Sequence, residues 1–359
     1  MFHRLYLAAA LLSLGCVAGQ PVQLIAVLPN TTVQRADGPD GYYPLASGLE
    51  SALRLAVEDV NANATLGVNT SLSLSLVRAD GLSPASTLKG VCEAADAGNA
   101  TYGVVGPLFS ADASLLGEVS SLGLSLPIVS YAAPTAAPTP PGEEGNFLFR
   151  SQPDIYLQME ALASLIMDMK RARDTAFYGD GACPNAFERV VLLHSTDDYG
   201  SRAAEALWGV AHALNASGPG LDEAAAAAGL CTGAVGMDIV TSVSLPSRTE
   251  WQRAGGVADM AAEVMEEMER LMATTSGMAV MILLVQGYDG VLVRTVLQAA
   301  REVGMASNTT QWYLGDAAAL DDVFDANASY RDSQLAYDLR GTLAVRPCLP
   351  TSGEWCAGS

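Results

Sequence analysis

The chain has 359 residues, half of them hydrophobic and 6% aromatic, with a formal net charge of −20. That length suits two α/β lobes better than one core, and that composition excludes a disordered chain. So acidic a protein is also a poor partner for nucleic acid or an anionic membrane surface, since all carry the same sign.

The amino terminus joins Arg4 to an apolar run, Leu5 to Leu14, and then to Val17-Ala18-Gly19. A charged start, a hydrophobic middle and small residues at a cut mark residues 1–19 as a secretory signal peptide. Seven of the ten asparagines (Asn30, Asn63, Asn69, Asn99, Asn215, Asn308 and Asn327) begin an Asn-X-Ser/Thr triplet. That enrichment points to a glycoprotein of the secretory pathway, extracellular or at the cell surface. Past the signal the longest apolar block, Met278 to Val285, is well short of the ~20 residues a membrane helix needs. Cys92, Cys183, Cys231, Cys348 and Cys356 remain. Cys348 with Cys356 and Cys183 with Cys231 are the disulfide candidates, and the odd number leaves one thiol over.

Taken in order, Val22 to Leu28 is a buried strand. Ser47-Gly48-Leu49-Glu50 reads as a capping box opening a helix, with Leu49, Ala52, Leu53, Ala56, Val57 and Val60 on one apolar stripe. Ser71 to Val77 alternates Ser and Leu, a strand with one face buried. Ser83-Pro84 opens a helix that turns Leu88, Val91, Cys92 and Ala95 inward. Tyr102 to Val105, a Gly-Pro loop, a helix from Ser110 to Leu122 and a strand from Leu126 to Ser130 form a strand, crossover helix and parallel strand. Phe147 to Arg150 reads as an extended connector, with a lobe boundary at about residue 150.

The alternation then resumes. Helices are expected at Asp154 to Met169, Ser201 to Leu214, Glu250 to Met272 and Gly290 to Val303. Strands are expected at Arg189 to His194, Met237 to Val243, Met278 to Val285 and Gln311 to Leu314, with Gly341 to Val345 extended. Strand and helix in turn predict parallel sheets flanked by helices. In such sheets ligands bind outside the carboxyl ends of the strands.

Five turns stand at those ends. The helix at Ser110 offers unpaired amides and the positive end of its dipole, so a carboxylate could be held there with the Ser110 hydroxyl. On the residues alone a plain N-cap is the favoured explanation of Ser110, since every such helix wants one, and Asp112 competes for the same dipole. Tyr131-Ala132-Ala133-Pro134, Asp197-Asp198-Tyr199-Gly200, Gly287-Tyr288-Asp289 and Gly315-Asp316 supply small residues, rings and carboxylates that could oppose an ammonium group. Singly each reads as a turn; together they suggest one site.

Enzyme chemistry finds little support. His194, Ser195 and Asp197 adjoin in sequence, but a triad is made by geometry, and no Gly-X-Ser-X-Gly elbow occurs. No Cys/His spacing suits zinc, no Gly-rich loop suits phosphate, and Asp321, Asp322 and Asp325 lack calcium-loop spacing, so no metal or cofactor is implied.

Several segments together resemble a known family. They are Leu24-Ile25-Ala26-Val27-Leu28-Pro29, Leu53 to Asn61, Val104-Val105-Gly106-Pro107 with Ser110, Pro127 to Ala133, Phe149-Arg150 with Pro153, Asp198-Tyr199-Gly200, and Gly341 to Val345. In this order, over about residues 22 to 347, the chain is similar to the type I periplasmic-binding-protein fold. Within that fold it most resembles the receptor ligand-binding family of natriuretic peptide receptors, class C G-protein-coupled receptors and ionotropic glutamate receptor amino-terminal domains.

The resemblance implies a Venus-flytrap of two lobes, 20–150 with 341–359 and 151–340, closing on a small molecule by hinge motion with no bond made or broken. It carries over Ser110 to the ligand carboxylate, Ala132 and Ala133 to backbone contacts, Tyr199 and Tyr288 to the ligand, and Asp316 to its ammonium. Pro134 departs from the pattern, because amino-acid binders of the family commonly place a Thr hydroxyl there. The implied protein is the ectodomain of a membrane receptor, paired through lobe one, whose membrane segment lies outside this chain. A soluble solute-binding protein of a transport system is the alternative. The family continues past the Gly341 strand with further lobe-one elements, so the carboxyl-terminal part of the fold is expected to be missing from this chain.

Overall fold

Strand and helix alternate throughout, and the chain divides into two units, residues 1–152 and 153–359. The computed structural model describes residues 22–30, 43–62, 71–81, 83–97, 100–134, 147–178, 187–216, 236–247, 250, 256–274, 280–285, 289–306, 310–315 and 343–344.

In the first unit β1 (Val22–Pro29), β2 (Leu72–Ala79), β3 (Ala100–Val105), β4 (Ile128–Ser130) and β5 (Leu148–Arg150) form one sheet in the order β2-β1-β3-β4-β5. All four pairings are parallel. The connecting helices are α1 (Tyr43–Ala62), α2 (Pro84–Asp96) and α3 (Ser110–Val119), which widens into a π turn at Ser120–Leu124. β1 is buried at every residue, as a strand covered on both faces must be, and its run of apolar side chains follows from that. Leu148–Arg150 is a fifth strand paired with β4, where the sequence reads only as a connector.

Ser83 caps α2 as expected, its hydroxyl accepting from the Ser86 amide at 3.3 Å. Thr87 and Val91 are its buried residues, so a threonine shares the face assigned to apolar side chains. The box expected at Ser47 to Glu50 is not used: α1 begins four residues earlier, and the Glu50 carboxylate pairs with Arg54 and Arg78.

In the second unit β6 (Phe187–Ser195), β7 (Gly236–Leu245), β8 (Val280–Leu284), β9 (Gln311–Leu314) and β10 (Leu343–Ala344) run in the order β7-β6-β8-β9-β10. These pairings are parallel too. The helices are α4 (Ile155–Tyr178), α5 (Asp198–Ala216), α6 (Val257–Thr274) and α7 (Gly290–Glu302). The period of two along a strand splits the core. Val191, Leu193, Met281 and Leu283 face α6 and α7, whereas Val190, Leu192, Val280 and Ile282 face α4 and α5. The sequence reading returns the chain to the first lobe at 341, but Leu343 and Ala344 pair with Tyr313 and Leu314. At these two residues the chain is still in the second sheet.

Each unit therefore winds its strands 2-1-3-4-5, and each repeats one local device. Asn61 at the end of α1 donates to the Leu72 carbonyl at 2.9 Å and accepts from the Leu72 amide at 2.7 Å. Asn215 at the end of α5 does the same to Met237, at 3.0 and 3.1 Å. An asparagine side chain mimics a strand edge here, clamping each first helix to the start of the second strand.

Candidate functional site

The switch point of each sheet, where the order reverses between its first and third strands, is the place an open α/β sheet offers a ligand. In the first unit β3 ends there in Gly106-Pro107. Gly106 holds φ +105°, and a Cβ on it would press into the Val27 carbonyl, so only glycine lets this turn lie against β1. The turn is tied to the next one by Ser130, whose hydroxyl donates to the Pro107 carbonyl and accepts from the Ala133 amide, both at 3.1 Å. The Tyr131 hydroxyl donates to the Val27 carbonyl at 3.3 Å, and burial pushes its phenol above the usual range. Arg150 donates to the Pro134 carbonyl at 2.8 Å.

Held between these ties is the start of α3. Its N-cap, Phe109, offers no side-chain cap. The Ser110 side chain is buried and its Oγ has no hydrogen-bond partner. Two residues on, Asp112 is fully buried; the Thr87 hydroxyl faces its carboxylate, but no hydrogen bond of ordinary geometry reaches either oxygen. Desolvation pushes its carboxyl up to about 6; the Thr87 hydroxyl opposes this, and Asp80 adds to it. Buried polar groups without partners are uncommon and call for a reason. Of the other candidates in this unit, Ala133 is buried and Ala132 half-buried on the turn that Ser130 braces. The parts that sequence reasoning overlooked are Ser130 as a brace, Arg150, and Thr87 beside Asp112. Only the Ser-Tyr-Ala-Ala string marked the first.

In the second unit the turn after β6 is closed by its own residues. Asp197 caps α5, accepting from the Gly200 amide at 2.8 Å and from the Ser195 hydroxyl at 2.9 Å. Burial raises its pKa, partly offset by these donors. Gly200 abuts Ser195 so closely that a Cβ would overlap its backbone. Tyr199 lies in the core cluster with Met159, Leu284 and Tyr313. Its hydroxyl sits beneath Gly315, 3.2 Å from where a Cβ on that glycine would stand. The turns after β6 and β9 thus meet, bringing Tyr199 beside the residue that precedes Asp316. After β8, Asp289 caps α7 by accepting from the Leu292 amide at 3.3 Å.

His194 contacts the Ser195 carbonyl at 3.1 Å through Nδ1 and the Ser244 hydroxyl at 3.4 Å through Nε2. With the Ser195 hydroxyl given to Asp197, these residues form no nucleophile and base pair. Among the described residues no cluster of three metal-ligating side chains occurs, and no helix is long and apolar enough to cross a membrane. Cys92 is a half-buried free thiol. Asn30 follows β1, and its backbone N–H donates to the Ala79 carbonyl. Tyr288, Asp316, Asn63, Asn69, Asn99, Asn308, Asn327, Cys183, Cys231, Cys348 and Cys356 lie outside the described residues.

Parallel sheets wound 2-1-3-4-5 and flanked by helices define an α/β protein built to bind at its strand ends. A family model described as the receptor family ligand binding region matches residues 48–352, and the chain belongs to that family. The fold is periplasmic-binding-protein-like, and the protein is a receptor-type ligand-binding domain. No curated protein matches the chain.

Proposed function

We propose that this protein is the extracellular ligand-binding region of a membrane receptor and that it takes a small carboxylate-bearing molecule, in the manner of an amino acid. The observation that carries this reading is Ser110: a buried hydroxyl with no partner at the uncapped start of α3. A helix start with free amides and a waiting hydroxyl suits a carboxylate. Ala132 and Ala133 would admit the ligand to backbone. From the second lobe Tyr199, Tyr288 and Asp316 would complete the site, with Asp316 meeting an ammonium and Tyr199 supporting the Gly315 turn from below. Closure of the lobes on the ligand would be the signal, conveyed through a dimer of first lobes to a membrane segment. Export by residues 1–19 and glycosylation at the Asn-X-Ser/Thr triplets belong to the same reading.

The test is a thermal-shift screen of the purified chain against amino acids, their amides and their decarboxylated amines, because a ligand bound only by the folded state raises its apparent stability. Stabilisation by acids and not by the matching amines supports the proposal. A response confined to amines or to peptides lacking a free carboxylate overturns it.

A further inference from the structure

Asp112 shares the first turn of α3 with Ser110, is shut from solvent, and has no hydrogen bond of ordinary geometry to either oxygen. A carboxyl in that position has two states with opposite consequences. Ionised, it places a negative charge against the positive helix end; protonated, it leaves that end uncompensated. Among the described residues no basic side chain acts on it. From α2 the Thr87 hydroxyl faces it, while Lys89 pairs with Glu93 on the exposed side, Asp96 is exposed and Cys92 is half-buried. The turn after β2 contributes Asp80, a second negative charge. The π turn Ser120–Leu124 and β4 carry no titratable residue, and Glu118 on α3 itself points to solvent.

We propose that Asp112 sets the charge preference of the Ser110 helix end, admitting an anionic ligand when protonated and turning it away when ionised. This rests on the carboxylate reading of Ser110 and adds to it a regulator of the same place. Binding of an anion and of the Asp112 proton are then linked and reciprocal: each strengthens the other. A carboxyl already raised to about 6 by desolvation titrates in the mildly acidic range, where such linkage changes ligand occupancy.

Formate, ionised at both pH values, is the probe, titrated into the intact protein at about pH 5 and about pH 7.5 while the amide signals of residues 110–113 are followed. Wild type is expected to bind formate about tenfold tighter at the lower pH, Asp112→Asn equally at both, and Ser110→Ala poorly at both. A carbon-detected titration of the Asp112 carboxyl in unmutated protein is the second readout, and saturating formate should raise its midpoint. Should Asp112→Asn keep the wild-type pH dependence, or formate leave the midpoint unmoved, the gate is wrong while the Ser110 reading stands. Should formate shift none of these amides at either pH, in wild type or Asp112→Asn, both are wrong.

Discussion

The third strand-to-helix turn of one unit and that of the other occupy the same place in the same winding, yet their chemistry differs. After β8 the chain caps its helix with Asp289, which accepts from Leu292. After β3 it supplies Phe109, which cannot cap, and buries Ser110 and Asp112 without hydrogen bonds of ordinary geometry. A fold that caps its helix with a side chain at one copy and leaves the equivalent start uncapped, with the Ser110 hydroxyl buried and unpartnered, has a use for the open one. The two units do share the strand order and the asparagine clamps at Leu72 and Met237.

The comparison can be broken at several points, taken from the largest effect down. Gly200→Ala forces a methyl group into the Ser195 backbone and should cost about 3 kcal/mol or more in denaturant unfolding; a neutral result would mean the turn after β6 has slack that the close approach denies.

Asp112→Asn should have nearly as large an effect, with the opposite sign at neutral pH. Its folded pKa of about 6 exceeds the ordinary 3.8, so the folded state binds the proton more tightly than the unfolded chain. The stabilisation from this group is complete below the ordinary value, is lost as pH rises through about 6, and is absent above. Wild type at about pH 7.5 should therefore lie about 3 kcal/mol below the Asn variant, and the gap should shrink on acidification. Unfolding curves for the pair across that range check it.

Asn61→Ala and Asn215→Ala should each cost about 2 kcal/mol by removing two side-chain hydrogen bonds to a strand. Equal losses would confirm that the clamps are equivalent. A smaller loss, about 1 kcal/mol, is expected for Asp289→Ala, which uncaps α7.

How far the sequence could be read follows from where each signal's partners lie. The strands and the Ser83 cap of α2 were legible, since hydrophobic period and capping act within a few residues. Ser47 to Glu50 had the right spelling for a capping box, but Glu50 finds Arg78 across the unit, a partner no local pattern reveals. At Ser247 and Glu250, which spell the same Ser-X-X-Glu pattern, the Glu250 carboxylate accepts from the Ser247 amide at 2.7 Å and from its hydroxyl at 3.0 Å. Thr196, from the turn after β6, joins the same group: its hydroxyl donates to the Glu250 carboxylate and accepts from the Ser247 amide, a partner that no local spelling reveals. Leu148–Arg150 is too short to declare itself a strand without β4 beside it. At the site, Ser110 stood out by its place after a strand, whereas the isolation of Asp112 depends on Thr87 and Asp80, brought in by other elements.

Ser110→Ala is the smallest change in stability and the most direct test of the account. Removing a buried hydroxyl that bonds to nothing should leave the melting temperature equal or slightly higher. Measured beside wild type with a small acid that stabilises wild type, the variant should show no ligand-induced rise. A variant that melts as expected yet responds to the acid as wild type does would contradict the central claim, that this open helix start is where the ligand's carboxylate is held.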